Sequence, residues 1–345
     1  MHTKPFFSVI IPAYNCEEYI SSSIKSILKQ TENDFEILVV DDGSTDKTAE
    51  IVNDFVSPSV VLIRTPNSGV SHARNIGIQH ASGRFILFLD ADDHYSDINS
   101  LKCLKESLIA DASFPEVLIF GFSVRGIESG RKNDDQVLYQ LSKLQNNSVL
   151  KKEIIKHMLS PRDGIMGYIW RACYSAYFLH NNSIEFEESL KISEDFKFLL
   201  ESIFIADTIK IDPNTYYLYV LNEGSMSLQY VPTLTSDEMF VNQWIHRVVI
   251  SKYPDLNVYL NLSIANTYLR TVQNELRTST NLGQQLHIIN QLKAQNGFQL
   301  SLDSIAITKK NFDLKSRVGL VLLKYRCESL YALLFKLKRR VRKKG

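Results

Sequence analysis

The stretch Phe85-Ile86-Leu87-Phe88-Leu89-Asp90-Ala91-Asp92-Asp93 decides how this chain reads. Five large apolar residues in a row are too few for a typical helix, and they predict a short strand buried on both faces. Three carboxylates within four residues stand at its carboxyl end, the edge where open α/β sheets bind their ligands. Packed acids repel and raise one another's pKa unless a cation sits among them. Hard oxygen donors suit Mg²⁺ or Mn²⁺, ions commonly shared with substrate phosphates. A solvated acidic turn is the competing reading, because Asp is a frequent turn residue.

The upstream segments favour the phosphate reading. Residues 6–11 form a continuous apolar run that predicts a buried strand closed by Pro12, which cannot extend the ladder. A helical pattern follows, with Asn15 as its cap and Ile20, Ile24, Ile27 and Leu28 at helical spacing. Residues 35–40 predict a second strand, ending in Asp41-Asp42-Gly43-Ser44-Thr45-Asp46, with Thr45 or Asp46 capping the next helix. Residues 60–63 predict a third strand, and residues 70–80 a helix leading into the stretch at 85–89. Strands alternating with helices at these lengths mean βαβ units and a parallel sheet, so the first 95 or so residues have the architecture of a nucleotide-binding half-domain.

Two common nucleotide signatures are absent. No G-x-G-x-x-G follows the first strand, which removes the main support for hydride transfer, and no G-x-x-x-x-G-K-[ST] loop marks a P-loop NTPase. Acids at strand ends replace them, since a carboxylate accepts hydrogen bonds from base N–H groups or ribose hydroxyls. Tyr14 offers a ring on which a base can stack. Arg74, near the start of the 70–80 helix, can pair with a diphosphate or with one of the acids.

Four segments together carry a family resemblance: Ser-Val-Ile-Ile-Pro-Ala-Tyr-Asn (8–15), Val-Val-Asp-Asp-Gly-Ser-Thr-Asp (39–46), Gly-Val-Ser-His-Ala-Arg-Asn-Ile-Gly (69–77) and Gly-Arg-Phe-Ile-Leu-Phe-Leu-Asp-Ala-Asp-Asp (83–93). In order and spacing they resemble the family-2 glycosyltransferases. The resemblance implies a GT-A fold with a mostly parallel α/β sheet, an inverting mechanism, a nucleotide-sugar donor (usually a UDP-sugar) and a divalent Mn²⁺ or Mg²⁺. It implies donor contacts at Pro12, Tyr14, Asn15, Asp42, Arg74, Asp90 and Ala91, with Tyr14 on the base and Asp42 on its N–H. Asp92 of the D-x-D would be the direct metal ligand, with Asp90 beside the ribose and sugar.

Further along, residues 101–110 and 149–159 predict helices, residues 117–122 a strand, and residues 125–135 a loop or hairpin tip. Trp170, in the Gly-punctuated stretch 164–172, is either an acceptor platform or a core aromatic. Ile192-Ser193-Glu194-Asp195-Phe196 starts a helix that Ser193 can cap, and acids there complement the helix dipole. By resemblance this is the family's E-D motif, which makes Asp195 the general base, expected to stay ionised, with Glu194 in reserve. The run 216–219 and the segment 222–227 resemble the family's continuation, except that Val220 stands where members often have Arg.

The totals set the frame. The chain has 345 residues, 44% hydrophobic and 22% charged, the composition of a soluble globular protein of one large or two ordinary domains. Cys16, Cys103, Cys173 and Cys327 lie far apart without a C-x-x-C pair, which points to reduced thiols in a reducing compartment. Neither a signal peptide nor a membrane span is predicted. The net charge of +1 hides an asymmetry: residues 315–345 hold eleven Lys or Arg and one Glu, so this tail carries +10 and the remainder −9. Leu320, Leu323, Cys327, Leu330, Leu334 and Leu337 line up at helical spacing among those charges, a basic amphipathic helix of the kind that lies on anionic membranes. No nucleic-acid motif accompanies the charge.

The expected organisation is a catalytic domain over residues 1–232 (a nucleotide-binding half, 1–95, and an acceptor half, 96–232), a helical region at 233–314 and the basic tail at 315–345. The expected activity is sugar transfer from a nucleotide-sugar to a glycan or polyprenyl-diphosphate-linked acceptor, at the inner face of the cell membrane in the cytoplasm. A nucleotidyltransferase, or an idle scaffold that binds a nucleotide-sugar, is the alternative.

Overall fold

The buried apolar runs become strands of one eight-stranded sheet: β1 Phe7–Ala13, β2 Phe35–Asp41, β3 Val60–Arg64, β4 Phe85–Phe88, β5 His94–Tyr95, β6 Val117–Arg125, β7 Ala172–Ser175 and β8 Ile209–Val220. Their order is β3-β2-β1-β4-β7-β6-β8-β5. The pairs β3/β2, β2/β1, β1/β4 and β6/β8 are parallel, whereas β4/β7, β7/β6 and β8/β5 are antiparallel. The computed structural model describes residues 4–110, 113–125, 132–161, 167–221, 230–279, 281–294 and 298–342.

The helices of the first half follow the βα alternation: α1 Ile20–Leu28, α2 Thr48–Asn53, α3 Val70–His80 and α4 Ser100–Ile109. After them come α5 Lys132–Leu141, α6 Asn147–Leu159, α7 Ala176–Asn181 and α8 Glu194–Ile205. A last set comprises α9 Leu234–Ile245, α10 Asn257–Glu275, α11 Leu282–Ala294, α12 Phe298–Ser304, α13 Leu314–Lys324 and α14 Glu328–Arg342. Two units result, residues 1–155 with 166–223, and residues 156–165 with 224–345.

β1 runs two residues past the expected stop, with Pro12 opposite Val40 and Ala13 opposite Asp41. The Ile10 carbonyl accepts from Leu89 N on the β4 side, so Pro12, two residues on, faces that same side. β4 has already ended at Phe88, so no ladder donor is required there and proline is tolerated. Two expected caps are also corrected. Asn15 does not cap α1, whose N-cap position is Tyr19. Asn15 instead holds φ at +46° and accepts from Thr45 N at 2.8 Å. Ser193 precedes α8 in a left-handed conformation without a capping hydrogen bond.

The loop expected at 125–135 is already helical from Lys132, while residues 126–131 lie outside the described residues. So do residues 164–166 and the segment 222–227. In the C-terminal unit the basic stripe is not one helix. It breaks between α13 and α14, where Arg326 holds φ at +60°. Leu320 and Leu323 are buried with Tyr268, Leu269 and Phe298, so part of the expected tail is core. Leu330, Leu333 and Leu334 stay exposed, and the side chains from Leu337 onward lie outside the described residues. No helix among the described residues is long and apolar enough to cross a membrane.

Candidate active site

The carboxyl end of β4 turns through Asp90-Ala91-Asp92-Asp93, closed by a hydrogen bond from Asp93 N to the Asp90 carbonyl. Asp93 is fully buried. Its carboxylate accepts from Tyr217 Oη and from Val220 N, both at 2.7 Å. The same Tyr217 hydroxyl accepts from Asp90 N at 3.2 Å. Burial pushes the Asp93 carboxyl up to about 8, only partly countered by those donors. Asp93 and Tyr217 thus tie the turn to β8, and they leave Asp90 and Asp92 as the partly exposed acids.

α8 brings the second pair of acids. Glu194 and Asp195 open the helix, and Phe198, three residues after Asp195, lies on the same helical face. Phe198 packs edge-on against Phe88 of β4 at 5.9 Å and stacks on Phe186 at 4.0 Å. Burying one such ring is worth about 1.5–3 kcal/mol. This aromatic contact sets the start of α8 beside the end of β4. Asn75 fastens the preceding segment: its amide donates to the Phe186 carbonyl, and its side-chain oxygen accepts from Phe186 N.

Between the two acid pairs lies Arg74 of α3, almost wholly buried. Its Nη2 donates to Asp90 Oδ1 at 3.2 Å, and its Nη1 donates to Asp195 Oδ1 at 2.6 Å and Glu194 Oε1 at 3.3 Å. The guanidinium also stands 5.3 Å over the Phe186 ring. Burial raises the Asp195 carboxyl well above the usual carboxylate range, against the opposing pull of Arg74. Burial raises Asp90 as well. The carboxylates hold Arg74 protonated. The helix dipole that favours an ionised Asp195 is thus opposed by desolvation.

At the end of β1, Pro12 is half-buried and the Tyr14 ring is 51% exposed. Asp41 is consumed internally, accepting from Ser44 N and Arg64 Nε. Asp42 accepts from Ser68 N and Gly69 N, both at 2.8 Å, which fixes the loop that leads into α3. Gly69 sits there at φ +101°, a conformation a side chain would strain. Thr65 Oγ1 also donates to Asp42 Oδ1, at 3.4 Å, so Oδ2 is the oxygen with acceptor capacity left for a ligand N–H.

Of the two readings of Trp170, the structure supports the core aromatic and not the acceptor platform. It is 2% exposed, and its ring is stacked on Tyr217 at 4.2 Å and on Tyr168 at 4.7 Å. A ring covered on both faces cannot receive a sugar, so Trp170 is core. The half-buried rings next to it, Tyr168 and Tyr219, reach solvent.

Among the described residues no group of three or more His, Cys, Asp or Glu forms a protein-only metal cage. The donors at the β4 end do fit Mn²⁺ or Mg²⁺ held jointly with a diphosphate, because such ions take one or two carboxylates and fill their shell with phosphate oxygens and water. The residues sequence reasoning missed are Tyr217, Asn75 and Phe198. Tyr217 belongs to a run of three tyrosines in four residues, which was the only local signal.

Residues 8–173 match the family model described as glycosyl transferase family 2. EpsJ of Bacillus subtilis, an uncharacterized glycosyltransferase, is 30% identical over 271 residues, covering 74% of this chain and 75% of that protein. The succinoglycan biosynthesis protein ExoO of Rhizobium meliloti is 29% identical over 248 residues, covering 70% and 69%. Staphylococcus aureus TarS, a poly(ribitol-phosphate) beta-N-acetylglucosaminyltransferase, is 32% identical over 232 residues, 65% of this chain but 37% of that protein. The crystal structure of its residues 1–349 with UDP-GlcNAc superposes with a TM-score of 0.65 at 22% identity, covering 97% of this chain and 91% of that one. The fold is therefore that of a GT-A glycosyltransferase, a mostly parallel sheet followed by C-terminal helices.

Proposed function

Since this chain belongs to glycosyl transferase family 2, we propose that it moves a sugar from a UDP-sugar to a hydroxyl of a growing surface polysaccharide, with inversion at the anomeric carbon. UDP-GlcNAc is the first donor to try, because TarS is solved with it. The polymer class is supported by TarS, a poly(ribitol-phosphate) beta-N-acetylglucosaminyltransferase, and ExoO, a succinoglycan biosynthesis protein. The observation that carries the reading is the single guanidinium of Arg74, which touches both Asp90 of the D-x-D and Asp195 of the E-D pair. An acid of the D-x-D and the acid proposed for the incoming hydroxyl thus meet on one cation.

In this reading the uracil stacks on Tyr14 and donates its N–H to Asp42, with Pro12, Asn15 and Ala91 along the donor and Asp90 beside the ribose. Asp92 would hold the divalent ion, whose chemistry is to neutralise charge on the departing diphosphate. Asp195 takes the proton of the acceptor hydroxyl while that oxygen bonds to the anomeric carbon. The bond from that carbon to the diphosphate oxygen breaks, so an α-linked donor yields a β product and free UDP. Arg74 fixes the rotamer of Asp195 through the 2.6 Å contact, and Glu194, on the same guanidinium, is the reserve base. A polyprenyl-diphosphate-linked glycan at the cytoplasmic membrane face is the acceptor we favour, since the +10 tail suits anionic lipid.

The test is a donor screen reading nucleoside diphosphate release with Mn²⁺ against Mg²⁺. Release should occur with one UDP-sugar and fall steeply in both Asp92→Asn and Asp195→Asn. Full rates in both folded variants would sink the mechanism, and pyrophosphate as product would assign a nucleotidyltransferase.

A further inference from the structure

The C-terminal unit carries none of the donor motifs, yet it holds an open cleft of about 660 Å³, within the size range of small-ligand sites. Its polar lining is uncharged: Asn242 and Gln243 of α9, Asn257 and Asn261 of α10 and Ser301 of α12, together with His246, set in a lining that is mostly apolar. Leu260, Ile264 and Phe298 supply an apolar floor. Among the described residues no Asp, Glu, Lys or Arg lines it. That absence matters in a chain with 77 charged side chains, 39 basic and 38 acidic.

The lining selects a ligand chemistry. Asn and Gln side chains donate and accept at once, as do Ser and neutral His. A ligand of the same duality, with hydroxyls that both donate and accept, satisfies them. A charged ligand would find no counter-ion, and a wholly apolar one would strand the amides without partners. The apolar floor matches the C–H face of a sugar ring. A second, independent feature marks the same place. α9 continues into a π-helical segment, His246–Ile250, and such segments are frequent at functional sites. Its first residue, His246, lines the cleft.

We propose that this cleft binds a neutral oligosaccharide segment, holding part of the glycan that the enzyme extends. The identity of that glycan rests on the glycosyl-transfer reading above, whereas the binding does not. The full chain is applied to an array of neutral and acidic oligosaccharides, and affinity for the best neutral ligand is then measured by calorimetry. Gln243→Ala combined with His246→Ala, both exposed positions, should weaken that affinity about tenfold or more while the unfolding midpoint stays put. Asn261→Asp, which places a carboxylate in the wall, should weaken it further. The proposal is overturned if no neutral glycan is retained, if only acidic glycans are, or if the variants bind as the parent does. A chain that binds through the cleft but releases nucleoside diphosphate from no donor would break the transferase reading and leave the cleft assignment intact. Donor turnover without glycan retention would do the reverse.

Discussion

Arg74 Nη1 donates to Asp195 Oδ1 at 2.6 Å across 121 residues of sequence. The same side chain reaches Asp90 and Glu194, so one buried cation compensates three carboxylates. Removing it strands buried negative charge. Arg74→Met should therefore cost about 3–5 kcal/mol of unfolding free energy, and Arg74→Lys should recover only part, lacking the planar fork. Urea denaturation at constant m-value checks this, and a loss below about 1 kcal/mol would show the cluster to be relaxed by water.

Desolvation raises Asp195, and a general base must be ionised to act. On the acid side, kcat/KM should therefore rise with pH, with a midpoint above the usual carboxylate value of about 4. Arg74→Gln takes away the charge opposing the shift and should move that limb further up in pH. A limb near pH 4 that ignores this substitution would remove Asp195 from the base role.

Tyr217 joins Asp90 N to the Asp93 carboxylate through one hydroxyl. Tyr217→Phe keeps the ring stacked on Trp170 but leaves a buried carboxylate short of a donor, at a cost of about 1–3 kcal/mol. The transfer rate should drop along with the melting temperature, because the turn bearing Asp92 loses its tie. An unchanged melting curve would mean that Val220 N alone suffices.

The ring of Tyr14 is exposed, and stacking of a base on it, as proposed, is worth about 1–3 kcal/mol. Tyr14→Ala should raise the donor KM roughly ten- to hundredfold with little change in fold stability, measured by UDP competition and thermal melts. Equal KM values would place the base elsewhere.

Leu330, Leu333 and Leu334 remain exposed on α14, upstream of the basic cluster that ends the chain. Deleting residues 338–345 should abolish co-flotation with phosphatidylglycerol vesicles, and salt should weaken binding of the parent in parallel. Binding that persists after the deletion would assign membrane contact to another surface.

Local patterns were enough to place β1 through β4, α3 to its exact ends, and the acids at the sheet edge, because strand and helix periodicity is written in neighbouring residues. The run at 85–93 located the acids at the sheet edge, since a short buried strand must end in polar residues where it leaves the core. Tertiary structure alone decided what those residues touch. Arg74 was a cation of open role until α8, carried in by Phe198, set Asp195 against it. Trp170, open between platform and core, was made core by Tyr168 and Tyr217, and the leucine stripe at the C-terminus was split between core and surface. The reason is the same each time: burial and charge pairing depend on segments a hundred or more residues apart meeting in space, and no window of sequence carries that information.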